Sequence, residues 1–210
     1  MVVTTRPHRR AAALLAASVV LWTPGCTHAR NFEKADLPQL VARPNEAPPD
    51  LVYSPALSGH VDLEVFRSGD AGVETLERAG CPGAYEGILA HPGLLDFLVL
   101  GDPRASPPKR QSLVTTSAVL CGTDQGARDA LAFLRREATQ GVASNRMLPS
   151  QEFGDGSFAV AGIDDFGRPT LLYGWRERNL YQSVESHGEV DPSDILFIAR
   201  NMQRRAEALS

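Results

Sequence analysis

The sequence predicts an α+β fold, an antiparallel sheet with helices packed on one face, and three features of the stretch from Phe153 to Arg205 carry that prediction. The first is a set of strand-like runs, Phe158–Ile163, Leu171–Arg176 and Leu180–Val184, which are short and rich in aromatic and β-branched residues. The second is the turn chemistry between them, Asp164-Asp-Phe-Gly-Arg-Pro169 and Glu177-Arg-Asn179, which suits a meander of hairpins. The third is a closing amphipathic helix. Asp191 is its N-cap, Pro192 stands at N1 and Asp194 lies in the first turn; Ile195, Ile198, Ala199, Met202, Ala206 and Leu209 then form one apolar stripe at spacings of three and four. Sheet and helix each have one apolar side, and packing them together is the way to bury both.

From the N-terminus, Arg6, His8, Arg9 and Arg10 precede an apolar run from Ala11 to Trp22, and Thr23-Pro-Gly-Cys26 follows. A positive segment, a short apolar run and a small-residue junction form a signal-peptide pattern, and the run is too short to span a bilayer, which needs roughly 20 residues. Residues 27–56 contain Pro38, Pro44, Pro48, Pro49 and Pro55 and no sustained period, so residues 26–56 read as a proline-rich flexible tether. Thirty flexible residues would give an r.m.s. reach of about 30 Å. A competing reading docks Leu37–Val41 as a helical turn.

The α+β domain is assigned to residues 57–210. His60–Phe66 alternates and reads as an outer strand, and residues 71–79 as a short helix ended by Gly80. Signals conflict between Cys81 and Gly93, and Leu94–Leu100 reads as either a strand or a helical turn entering one. Residues 101–109 form a proline-rich loop. Ser112–Leu120 is a β-branched strand. Thr123-Asp124 then caps a helix over Gln125–Thr139 that turns Ala127, Ala130, Leu131, Leu134 and Ala138 inward and Arg128, Arg135, Arg136 and Glu137 outward.

Of 210 residues, 43% are apolar and 22% charged, an ordinary globular balance. Nineteen of the 21 basic residues are arginine, a skew that codon bias in a GC-rich genome accounts for. Loss of Arg6, Arg9 and Arg10 with residues 1–25 leaves 18 basic against 25 acidic residues, a formal charge of −7. That balance argues against a nucleic-acid partner, which calls for a clustered positive field.

Two resemblances add to this reading. Thr23-Pro24-Gly25-Cys26 resembles the lipobox of bacterial lipoproteins, although Thr23 stands where leucine is usual and Pro24 is uncommon there. It implies a lipoprotein signal peptide over residues 1–25 and a lipid anchor on Cys26, with diacylglycerol and palmitate-type chains holding the chain to a membrane of the cell envelope. The order of elements from Ser112 onward, with Gly154-Asp-Gly-Ser157, Arg176-Glu-Arg-Asn179 and Arg204-Arg205, resembles bacterial extracytoplasmic lipoproteins and sensor-type domains. It covers about 95 residues of the chain and implies recognition of a ligand or envelope protein, with no catalytic residues to carry over. Arg178 stands where that group often has glycine, which points to a longer hairpin loop.

Among residues that could carry chemistry, Cys81 and Cys121 are the cysteines left after lipidation of Cys26, and in an exported chain they read as a disulfide, with two buried thiols as the alternative. His60, His91 and His187 have no companion spacing for a metal. Neither a metal nor a cofactor is expected. Ser157 with Asp155 and His187 could make a small hydrolase, but Gly154-Asp-Gly-Ser157 is not a nucleophile elbow, since a strand rather than a helix follows the serine. Tyr173, Trp175, Arg176, Arg178 and Tyr181 lie across the second hairpin and would make a recognition surface if one sheet face were open. Alternation puts Leu171, Tyr173 and Trp175 on one face, where core is the competing reading. The functional expectation is a non-enzymatic, lipid-anchored envelope domain that binds a ligand or protein; a small envelope hydrolase and a structural envelope component are the alternatives.

Overall fold

The computed structural model describes residues 30–62, 80–81, 83–94, 112–140, 145–149 and 153–210. Residues 1–25 and Cys26 lie outside them, as do the helix expected over 71–79, the loop over 101–109, residues 63–66 of the expected outer strand and 95–100 of the ambiguous run.

The architecture is α+β, an open antiparallel sheet of eight strands with helices packed against it. The strands are β1 (Val52–Tyr53), β2 (Gly59–Asp62), β3 (Gly83–Ala90), β4 (Leu113–Leu120), β5 (Arg146–Leu148), β6 (Ser157–Ile163), β7 (Pro169–Glu177) and β8 (Leu180–His187). Their order is β1-β3-β4-β8-β7-β6-β5, with β2 also paired to β3. The three C-terminal strands form the expected meander, β7 paired to β6 from Pro169 to Trp175 and to β8 from Thr170 to Glu177. Helix α1 covers Asp124–Gln140 and helix α2 covers Pro192–Leu209. Asp191 caps α2 as the sequence predicts, its carboxylate accepting from the Ser193 backbone N–H at 2.8 Å.

The helices divide between the two faces of the sheet rather than sharing the one face expected, because the strands are apolar at alternate residues on both sides. Ile195, Ile198, Ala199 and Met202 of α2 pack with Leu89, Val114, Leu171, Tyr173, Trp175 and Val184. Ala127 and Ala130 of α1 pack with Ala84, Val119, Phe158, Val160 and Tyr181 on the other face. The period of two sorts β7 and β8 between these cores. Gly174 is required on the α1 face, where a Cβ would stand 2.6 Å from the Phe158 ring and 2.9 Å from the Tyr181 hydroxyl. Cys81 and Cys121 are disulfide-bonded at the edge of this core. Closing a loop of 40 residues stabilises the fold by about 4 kcal/mol through chain entropy.

The expectation of a flexible tether over 26–56 fails for residues 30–56. Phe32, Leu37, Leu40 and Val41 are buried against Ala118, Leu180 and Ala206, and Ala42 and Leu51 join the α2-face core. This segment is a strap that crosses the sheet beside α2. Lys34–Gln39 is a 3₁₀ turn, so Leu37 docks as the competing reading had it. The prolines take part in local turns rather than dissolve the chain; Pro38 sits inside the first turn and Pro44 opens a second 3₁₀ turn, Pro44–Glu46.

Backbone groups of a strap laid over an apolar face need partners, and side chains of the sheet and of α2 supply them. Asn179 accepts from Phe32 N–H at 2.9 Å and donates to Phe32 C=O at 3.2 Å and Cys121 C=O at 2.9 Å. Gln182 donates to Leu40 C=O at 2.8 Å while accepting from the Trp175 indole at 3.1 Å. The Thr116 hydroxyl accepts from Ala42 N–H at 3.1 Å and donates to Gly87 C=O at 3.0 Å. Arg205 donates to Gln39 C=O and Val41 C=O at 2.7 and 2.8 Å and forms an ion pair with buried Glu46.

The same crossing explains β3, whose residues gave conflicting signals. A Cβ at Gly87 would lie 2.8 Å from Thr116 Oγ1 and 3.2 Å from Val41 Cβ, so the strap's passage selects glycine inside a strand, where propensity argues against it. The β7–β8 hairpin is also shorter than the arginine suggested. It is a two-residue turn in which Arg178 itself takes φ +52°, held by its N–H on Asp155 Oδ2 at 3.2 Å and its guanidinium on Arg30 C=O at 2.7 Å.

The Arg205–Glu46 pair generates a stability prediction. In Arg205→Ala, Glu46 stays buried within the strap without its countercharge, and removing one partner of a buried pair costs about 3–5 kcal/mol. Removing the charge from the other side, in Glu46→Gln, leaves Arg205 its two carbonyls and costs less. Urea unfolding of both variants checks the order; equal and small losses would show that the strap is not held by this pair.

Candidate functional site

The expected recognition surface is not assembled. Trp175 and Tyr173 are buried in the α2-face core, with Phe153 packed against both rings at 5.3 and 6.4 Å. Tyr181 is buried on the opposite face, where burial pushes its hydroxyl pKa up. Arg176 is buried and pairs with Asp155 at 3.2 Å, and Arg178 belongs to the turn that holds Arg30. Strand alternation favoured core for Tyr173 and Trp175, and the packing of α2 and the strap makes it so.

Nor do Ser157, Asp155 and His187 meet. Ser157 pairs in register with Trp175 near one end of β7, whereas His187 pairs with Thr170 near the other. The three histidines are apart as well. His60 lies edge-on against Tyr85 at 5.0 Å, His91 accepts from Gly93 N–H at 3.2 Å, and His187 sits between two carboxylates. Among the described residues no group of three or more His, Cys, Asp or Glu could hold a metal ion.

The site that does form lies at the end of the sheet where β3 and β8 finish and β4 begins. It is an open cleft of about 510 Å³, within the size range of small-ligand sites. The strap ends there and supplies Pro48, Pro49, Asp50 and Leu51; the β3–β4 end supplies His91 and Ser112; the β8–α2 connection and the first turn of α2 supply Glu189, Val190, Asp191 and Asp194. Asp50 takes φ +68°, a conformation that costs a non-glycine residue roughly 1–3 kcal/mol. Ser112 donates to Glu189 C=O at 3.0 Å, tying two walls together, and His91 N–H bonds Ser112 C=O at 3.0 Å.

Four acidic residues therefore line one concavity, together with apolar Pro48, Pro49, Leu51 and Val190 and polar His91 and Ser112. Asp191 is held below the ordinary carboxylate range by the Ser193 backbone N–H and hydroxyl. Among the described residues, Asp50, Glu189 and Asp194 form no ion pair. Such a site attracts positive charge and gives an attached apolar group somewhere to pack. None of its residues was singled out as a binding residue from sequence except His91, which was weighed as a metal ligand.

No family model matches the chain, and no curated protein matches it. Among solved structures, it is similar to the crystal structure of the extracellular domain of PknH from Mycobacterium tuberculosis. The TM-score is 0.53 at 11% identity, over 86% of this chain and 99% of that one. At that identity the likeness is one of fold.

On the α1 face near the cleft end, His187 lies between Asp164 (Nδ1–Oδ2 3.2 Å) and Glu185 (Nε2–Oε1 3.2 Å), and Arg168 pairs with Asp164 at 2.7 Å. An imidazole with a carboxylate at each nitrogen can donate to both only when protonated, so this arrangement favours the cationic form. The hydrogen bond to Glu185, helped by Asp164, raises the His187 pKa against burial and Arg168. Burial opposes ionisation of Asp164, but bonds from the Arg168 backbone and guanidinium and from His187 together hold its pKa below the ordinary value. A raised histidine stabilises the fold fully below its unfolded pKa, about 6.5, and that contribution is lost as pH rises through the folded value. A depressed aspartate stabilises above its unfolded pKa, about 3.9, and that is lost as pH falls through its folded value. His187→Gln should therefore destabilise by about 1–2 kcal/mol near pH 5.5 and by less near pH 8.5. Denaturant titrations at the two pH values check this; a pH-independent difference would mean that His187 is neutral in the fold.

Proposed function

We propose that this chain is a non-enzymatic, lipid-anchored domain of the bacterial cell envelope that binds a ligand or protein partner through the cleft between the strap, the β3–β4 end and the start of α2. The cleft carries the reading, since it is a ligand-sized concavity lined by four acidic residues with Pro48, Pro49, Leu51 and Val190 beside them. It favours a ligand or peptide segment bearing a primary ammonium or guanidinium group beside an apolar one. An exported location is supported by the signal-peptide pattern ahead of Cys26 and by the Cys81–Cys121 disulfide, which persists in oxidising compartments. The fold it shares is that of an extracellular domain. Among the described residues, no helix is long and apolar enough to cross a membrane, and the anchor is assigned to acyl chains on Cys26, two of which suffice for stable attachment.

Two experiments test the two halves of this reading. Cys26→Ala should move the protein from the membrane to the soluble fraction, or leave it as an uncleaved precursor, with unchanged unfolding of the domain; wild-type protein that is soluble, with an unmodified N-terminus, would remove the anchor. For the cleft, thermal unfolding should be shifted upward by spermidine and by lysine- and arginine-leucine dipeptides and not by succinate, and the Asp50→Asn, Glu189→Gln, Asp194→Asn triple variant should lose the shift. Stabilisation by the anion alone, or a shift that survives in the variant, would move the site elsewhere.

A further inference from the structure

We infer that the anchored domain stands with its β7–β8 turn toward the lipid surface and its cleft at the far end, open to the aqueous phase, so that the cleft takes a soluble ligand and not a lipid headgroup. The inference rests on the proposed lipidation of Cys26.

Only residues 27–29 lie between Cys26 and Arg30, so the Cα of Arg30 is at most about 14 Å along the chain from that of Cys26 at full extension. Arg30 is not on a free arm. Its carbonyl accepts from the Arg178 guanidinium at 2.7 Å, and its own guanidinium meets both oxygens of Asp36 at 2.9 and 3.0 Å. Phe32, two residues on, is buried with its N–H and C=O both on Asn179. Arg178 and Asn179 are the β7–β8 turn, so the leash is fixed to that end of the sheet.

The cleft lies at the other end. Strand β8 leaves the turn at Leu180 and reaches His187 seven residues later, about 24 Å away, and Glu189 of the cleft lies beyond it. The strap takes the same course, passing Gln182 at Leu40 and Thr116 at Ala42 before Pro48–Leu51 form the cleft wall. A leash of about 14 Å cannot turn over a body whose far end is about 24 Å or more from its attachment. Anionic headgroups would also repel the cleft carboxylates.

The test uses full-length lipidated protein in vesicles containing a spin-labelled headgroup lipid as fluorescence quencher. A fluorophore at Asp124→Cys, the exposed residue that begins α1 three residues after Cys121, whose N–H bonds Asn179 C=O of the β7–β8 turn at 2.8 Å, should be quenched several-fold more than one at Asp165→Cys in the β6–β7 turn at the cleft end. Equal or reversed quenching overturns the orientation. Inserting a 20-residue Gly-Ser spacer between Thr27 and His28 should abolish the difference, because about 25 Å of r.m.s. reach is added; a difference that survives the spacer means that the leash does not set the orientation, which also overturns it. N-terminal mass spectrometry of the same preparation reports separately on Cys26. An unlipidated N-terminus overturns the anchor and this inference together, whereas lipidated protein with the wrong quenching pattern overturns this inference alone.

Discussion

The fold depends on satisfying the backbone of one segment laid across an apolar face. The strap from Phe32 to Leu51 runs beside α2 over a surface of Leu89, Val114, Trp175, Leu180 and Val184, where an unpaired amide costs several kcal/mol. Asn179, Gln182, Thr116 and Arg205 meet that cost from four positions on two strands, a turn and a helix. Their own remaining groups are satisfied as well, Asn179 on Cys121 C=O, Gln182 on the Trp175 indole and Thr116 on Gly87 C=O. A fully connected buried polar network of this kind fixes one register, since sliding the strap by a residue would orphan several groups at once.

What the sequence discloses follows from which elements obey local rules. Residues 157–209 were legible because alternation, turn residues and a capped amphipathic stripe all point the same way there. The strap was not, because five prolines and no sustained period between Thr27 and Ala56 are also the composition of a disordered tether. Its side chains still carry a trace of the answer in Phe32, Leu37, Leu40 and Val41, which are too apolar for a solvated linker. Strand β3 was hidden for a related reason. Gly87 is there for the neighbour it admits, and that neighbour is in another part of the chain.

The candidate site was illegible for a different reason. Tyr173, Trp175, Arg176, Arg178 and Tyr181 drew attention as a cluster because they are close in sequence, yet the period of two sends Tyr173 and Trp175 to one core and Tyr181 to the other. The cleft reverses this situation. Pro48 to Asp50, His91, Ser112 and Glu189 to Asp194 carry no motif in the sequence, and only the sheet order, with β3 beside β4 and β4 beside β8, brings them to one end. Composition could indicate the acidity of the whole chain but not its concentration there.

Strap and cleft are coupled by construction, because Pro48 to Leu51 are at once the strap's last residues and one wall of the cleft. The proposed ligand, held between this wall and the α2 end, would bind the docked strap and would have no equivalent site once the strap lifts. Linkage then requires that occupancy stabilise docking, by RT ln(1 + [L]/Kd), and that anything loosening the strap weaken the ligand. The strap is also the segment that leads back toward Cys26. On the proposed function, displacement at its Arg30 end would act on the same docked strap that a ligand would hold at its Leu51 end, with the Asn179, Gln182, Thr116 and Arg205 bonds as the contacts in between. The two ends of a single strap thus share one free energy, and its size is set by the same polar network that fixes the register of the fold.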